Sequence, residues 1–134
     1  EDSLSAPDDD GGALSLLHSR LGIVQFSGTL HEAALVSFQR ATTYPAAQAS
    51  AWSNLGFAHF RMARFQQSIA PFTRALMMDS TDVNALYCLG RMRMARPETA
   101  ISGRWLLGRF LLLEQGTRRS GEIDRWLSAP ERSM

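Results

Sequence analysis

The stretch WSNLGFAHFRMARFQQSIAPFTRAL, residues 52–76, decides the fold. Trp52, Leu55, His59 and Phe60 fall at helical spacing and form the inward stripe of a first helix, helix A, while Gly56 between them leaves room for a second helix to approach closely. On that second helix, B, Ser68, Phe72 and Ala75 continue the apolar stripe with Ile69 and Leu76. One such hairpin alone leaves a hydrophobic face in water, so a neighbouring hairpin must cover it.

Working outward, one constant shift brings the chain onto itself. Leu21-Gly22, Leu55-Gly56 and Leu89-Gly90 superimpose, and the same shift relates Phe26 to Phe60, Ala34 to Ser68, Phe38 to Phe72 and Ala41 to Ala75. The repeats run 15–48, 49–82 and 83–117. In the middle one, Trp52, Leu55, Gly56, Phe60, Ser68, Phe72 and Ala75 resemble the tetratricopeptide signature of an aromatic, Leu-Gly, an aromatic, a small residue, an aromatic and Ala. That resemblance implies an all-α fold: three stacked tetratricopeptide hairpins in a short right-handed solenoid, closed by a C-terminal capping helix.

The outer repeats depart from the pattern. His18 stands where the middle repeat has Trp52, as expected of a terminal repeat with one side in water. In the third repeat Leu86, Leu89 and Gly90 fit, but Pro97 comes early and no Ala occupies the helix B site, which predicts helix B over Pro97 to Glu114 with proline in its first turn. Its apolar residues Trp105, Leu106, Leu107, Phe110, Leu111, Leu112 and Leu113 cover more than one face, so burial on two sides is expected. Within the tail, residues 118–134, a helix over Glu122 to Leu127 offers Ile123, Trp126 and Leu127 as the cover and ends before Pro130. Docking of a partner subunit on the same surface stays open.

Composition narrows the class. The chain has 134 residues, 45% hydrophobic and 20% charged, enough for one core without staples. A single cysteine, Cys88, excludes an internal disulfide framework. From Ser15 to Arg119 twelve arginines face five acids, a balance of +7, whereas residues 1–14 carry five acids and no base and read as a disordered acidic leader. The arginines are dispersed along the hairpins and the pI is about 8.3, short of a nucleic-acid binder's footprint. No secretory signal is visible, and Trp105 to Leu113, the most apolar run, is too short to span a bilayer and contains Arg109. A soluble intracellular chain is expected, its compartment open and its N-terminus either processed or trimmed.

Catalytic and metal chemistry find no support. His18, His31 and His59 lack a second ligand at i+3 or i+4, and His59 reads as a hydrogen-bonded core residue. Asp8-Asp9-Asp10-Gly11-Gly12 begins like a calcium loop but lacks the closing Glu. No phosphate loop, nucleophile elbow or carboxylate pair occurs, and Cys88 reads as an inert buried thiol. No enzyme, cofactor, metal or small-molecule substrate is expected.

A partner would bind where the A helices line a concave face. By family resemblance, the groove residues are Arg20 and Ile23 in the first repeat, Asn54, Phe57 and Arg61 in the second, and Tyr87 and Arg91 in the third. Ile23, Phe57 and Tyr87 are apolar anchors, Asn54 suits a peptide backbone, and the arginines suit acids, so the expected ligand is a segment of another protein with apolar anchors and acidic flanks. Packing between A helices is the competing role for Phe57 and Tyr87. Tetratricopeptide domains that hold chaperone tails use a carboxylate clamp of Lys and Asn, then Asn, then Lys with Arg or Lys. The matching positions here are Ser19, Ile23, Asn54, Asn84 and Cys88, so only Asn54 agrees. The sequence thus points to a noncatalytic adaptor or assembly factor, with a structural subunit of a large complex as the alternative.

Overall fold

The structure, a computed structural model, describes residues 11–128. The disorder expected for the leader over residues 1–10 and the stop at Pro130 lie outside the described residues. The helices are α1 (Gly12–Ser27), α2 (His31–Ala41), α3 (Ala49–Arg61), α4 (Phe65–Met78), α5 (Val83–Met94), α6 (Ala100–Leu113) and α7 (Arg118–Ser128), with a 3-10 turn at Pro97–Thr99. No strand occurs among the described residues, and α1 with α2, α3 with α4 and α5 with α6 form three hairpins. Helix α1 begins at Gly12, so residues 12–14 are helical and not leader. No helix among the described residues is long and apolar enough to cross a membrane.

The chain divides into two compact units, residues 1–82 and 83–134. In the first, α2 packs on both α1 and α3. Ala34, Leu35 and Phe38 of α2 meet Leu55 and Ala58 of α3, with half-buried Phe26 of α1 against them, and Ala41, Ala47 and Ala51 make a second cluster. Glycine sets the hairpin spacing: a Cβ on Gly22 would lie 2.5 Å from the Phe38 ring, and one on Gly56 would lie 2.9 Å from that of Phe72. Each ring therefore rests directly on the facing helix backbone, and each such burial stabilises the unit by about 1.5–3 kcal/mol. Ser68, Phe72 and Ala75 are buried as their spacing predicts; Ile69, expected on the same stripe, is exposed.

The turn inside each of these hairpins also repeats. Thr29 (φ 70°) and Ala63 (φ 62°) occupy the same place in successive repeats and both take the left-handed conformation, and the amides that follow close the same bond, Leu30 N to Gln25 O and Arg64 N to His59 O, each 2.8 Å. This is the six-to-one bond that ends many helices.

In the second unit α6 packs on α5, burying Leu86 and Leu89 of α5 with Leu106, Leu107 and Phe110 of α6. Helix α6 is packed by α5 and by α7, but the expected burial is incomplete: Trp105, Leu112 and Leu113 remain exposed, as does Ile101. Helix α7 is longer than the expected Glu122 to Leu127, starting at Arg118, and it packs on α6. Of the three residues expected to cover α6, Ile123 is buried, Leu127 is half-buried and Trp126 is exposed.

Candidate functional site

The groove residues sort by unit. In the first, Arg20 and Ile23 are exposed on α1, which packs on α3; Asn54 and Phe57 are half-buried and Arg61 is exposed on α3. One helical turn separates Phe57 from Arg61, and the guanidinium carbon lies 5.7 Å from the Phe57 ring centre. A cation held over a ring stays available to a carboxylate while the ring keeps an apolar edge. Neither Arg20 nor Arg61 has an ion-pair partner among the described residues.

In the second unit Tyr87 and Arg91 repeat that i, i+4 pairing on α5. The Arg91 guanidinium lies 5.4 Å from the Tyr87 ring centre, and its Nη1 donates to Tyr87 Oη at 3.1 Å. Tyr87 is half-buried because its other contacts are internal: its ring meets Phe110 at 5.2 Å, and Arg119 of α7 lies 5.0 Å from its centre.

Sequence reasoning missed Arg119. Its Nε and Nη2 donate to the two carboxylate oxygens of Glu114, both at 2.7 Å, and its Nη1 donates to Asn84 Oδ1 at 2.9 Å. These bonds hold the Glu114 carboxyl below the usual carboxylate range, burial opposing them and a bond from Thr117 adding to them. They also raise the pKa of Arg119 itself. The only signal in the sequence was an acid five residues before an arginine, too common to single out. The consequence reaches α5: the Asn84 carbonyl is already occupied, and Arg119 stacks between Tyr87 and Phe110.

Two other candidates read differently in three dimensions. His59 is buried as expected, but its Nδ1 has no hydrogen-bond partner, and burial, aided by Arg64 and opposed by Glu32, pushes its pKa down. Cys88 is fully buried on α5. Among the described residues no cluster of three or more His, Cys, Asp or Glu is placed to hold a metal.

No protein-family model matches this chain, and no curated protein matches it in sequence. Solved structures do. The TPR domain of Arabidopsis OM64 is similar with a TM-score of 0.73 and 20% identity, over 84% of this chain and 93% of that one. The first TPR of Spaghetti (RPAP3), bound to the HSP90 peptide SRMEEVD, is similar with a TM-score of 0.73 and 16% identity, over 88% of this chain and 96% of that one. The fold is thus the tetratricopeptide-repeat fold.

Proposed function

With the tetratricopeptide fold as premise, we propose that this chain is a noncatalytic protein-binding module, an adaptor or assembly factor that takes a segment of another protein with apolar anchors and acidic flanks. The observation that carries the reading is Arg61 held over Phe57 on α3, with Arg20 and Ile23 exposed on α1, the helix that packs on α3, and neither arginine paired to an acid among the described residues. Arg91 over Tyr87 supplies a second patch of the same chemistry on α5. A solved domain of this fold holds an acidic HSP90 peptide, which supports a peptide ligand in general. The mode differs here, since the clamp positions are buried Ser19, apolar Ile23, Asn54, an Asn84 taken by Arg119, and buried Cys88. Acidic side chains along the segment, rather than its C-terminal carboxylate, are what these arginines would meet.

Fluorescence anisotropy with labelled peptides combining aromatic or aliphatic anchors and Asp/Glu flanks tests this. Binding should weaken with salt, Arg61→Glu and Arg91→Glu should weaken it and flatten its salt dependence, and Phe57→Ala should weaken it at every salt concentration, because apolar burial is not screened. Failure of all such peptides to bind, or variants that bind like the parent chain, would overturn the reading. A second reading, a permanent subunit docking through α6, is favoured by the exposure of Ile101, Trp105 and Leu112. Capture lost on Trp105→Glu but kept on Arg61→Glu would select it.

A further inference from the structure

The stretch EDSLSAPDDD, residues 1–10, has the chemistry of the ligand in the peptide-binding reading. Leu4, its one large aliphatic side chain, stands between Glu1 and Asp2 on one side and Asp8, Asp9 and Asp10 on the other, and the stretch holds no base. It joins α1 through Gly11, whose place is fixed. Gly11 takes the left-handed conformation (φ 81°) and packs so closely on Tyr44, in the connection between α2 and α3, that a Cβ would collide with the ring. An acidic segment with an apolar anchor is thus tied to the head of the helix that carries Arg20 and Ile23.

Its length matches the surface. Along α1, Arg20 and Ile23 stand about 12 and 16 Å from Gly12, and Ser27 about 22 Å. Phe57 and Arg61 on α3, which packs on α1, correspond one repeat on to Ile23 and Ser27. An extended chain covers at most about 3.3–3.6 Å per residue, so running back along α1 it brings Asp8 to the level of Arg20 and leaves Leu4 and Asp2 enough length for Ile23, Phe57 and Arg61. Charge narrows the choice further. Residues 11–82 hold five arginines against three acids. Arg64 is paired with Glu32, and Arg74 lies 5.0 Å from the Trp52 ring centre. Arg20, three residues before Ile23, and Arg61, four after Phe57, join exposed charge to an apolar neighbour, which is what Leu4 and its flanks require.

We propose that residues 1–10 lie on this surface of α1 and α3 and occupy it until a partner segment displaces them. The inference rests on the peptide-binding reading and supplies its regulation. A short tether gives an effective concentration of about 1 mM, so a segment whose own dissociation constant is about 0.1 mM weakens a competing peptide about tenfold. The test compares the full chain with a full-length variant carrying Glu1→Gln, Asp2→Asn, Asp8→Asn, Asp9→Asn and Asp10→Asn, using anisotropy of the labelled acidic-flanked peptides and amide chemical shifts by NMR. The variant should bind about tenfold more tightly at low salt and equally at high salt, where the contact is screened. Its amide shifts should differ from the parent's at Ile23, Phe57 and Arg61. Adding Arg40→Glu, at the end of α2, to both chains should leave the gain as it was. Equal affinities, with shift differences confined to the residues beside the substitutions, would overturn the inference and leave the peptide reading standing. A gain abolished by Arg40→Glu would place the segment elsewhere and overturn it too. If neither chain binds any such peptide, the peptide reading fails, and the shifts at Ile23, Phe57 and Arg61 alone decide whether the segment lies there.

Discussion

Gly90 faces Leu107: a Cβ on the glycine would lie 2.6 Å from Leu107 Cδ2, the relation that Gly22 has to Phe38 and Gly56 to Phe72. The first two pairs are sixteen residues apart and this one is seventeen, so the third helix B enters one residue late. The cause lies in the turn. Thr29 and Ala63 turn the first two hairpins in the left-handed conformation, and at the matching place in the third repeat stands Pro97, whose ring forbids positive φ. The chain instead closes Ala95 N to Met92 O and Arg96 N to Arg93 O, both at 3.3 Å, makes a 3-10 turn from Pro97, and starts α6 at Ala100. The Arg93 carbonyl accepts a second bond there, from Thr99 Oγ1 at 2.8 Å.

That shift places Gly103 where the middle hairpin has Ser68, against backbone: its Cβ would lie 2.7 Å from Met94 N and 3.0 Å from Gly90 O. Gly108, on the same helix, would meet nothing within 4 Å. Gly103→Ala should therefore lower stability by about 1–3 kcal/mol, as a backbone cannot yield. Gly108→Ala should raise it by about 0.5–1 kcal/mol through helix propensity. Melting temperatures that move together would show that the close approach is not there.

The left-handed residues give a second pair. Neither Thr29 nor Ala63 is a glycine, and an L side chain in that conformation costs about 1–2 kcal/mol. Glycine's greater unfolded-state freedom offsets part of the relief, so Thr29→Gly and Ala63→Gly should each stabilise by about 0.5–1 kcal/mol in urea denaturation. A loss of stability in either variant would mean the turn is built another way.

The hairpins and their glycine sockets were legible in the sequence because Leu-Gly recurs once in every repeat and Phe38 and Phe72 keep step with it. The third helix B was legible over Pro97 to Glu114 except for its first turn, which is 3-10, and its one-residue offset, which follows from a positive φ at Thr29 and Ala63 that neither residue advertises and that Pro97 cannot take. The length of α7 was hidden for a related reason. Its anchor is Arg119, and the four groups that hold it, Asn84, Tyr87, Phe110 and Glu114, are scattered over three other stretches of the chain. Of the candidate binding residues, exposed Arg20, Ile23, Arg61 and Arg91 follow from helical phase alone; the half-burial of Tyr87 depends on Phe110 and Arg119.

Arg119→Ala should loosen α7 and leave the Glu114 carboxylate and the Asn84 carbonyl without their donor, costing about 1–3 kcal/mol. Glu114 has its pKa lowered on folding, so its contribution is present above the unfolded carboxylate value and is lost as pH falls through the folded one. The parent chain should thus lose more stability than Arg119→Ala on acidification below the carboxylate range. Parallel losses, measured by denaturant unfolding, would remove the pair from the account.

His59 acts in a separate, milder window. Burial first, then Arg64, lower its pKa from the ordinary 6.5, with Glu32 opposing, so between the folded value and 6.5 the unfolded chain binds more protons than the native one. Stability must then rise with pH across that interval, by at most about 1.4 kcal/mol per pH unit for one proton, be complete above it, and be lost on acidification. The imidazole cannot offset its charge by hydrogen bonding at Nδ1, which has no partner. His59→Leu removes both the titration and the unpartnered nitrogen, so the variant should gain on the parent most at about pH 5 and least at about pH 8. Urea midpoints at the two values decide it: an equal difference at both would mean that His59 keeps its ordinary affinity for protons inside the fold.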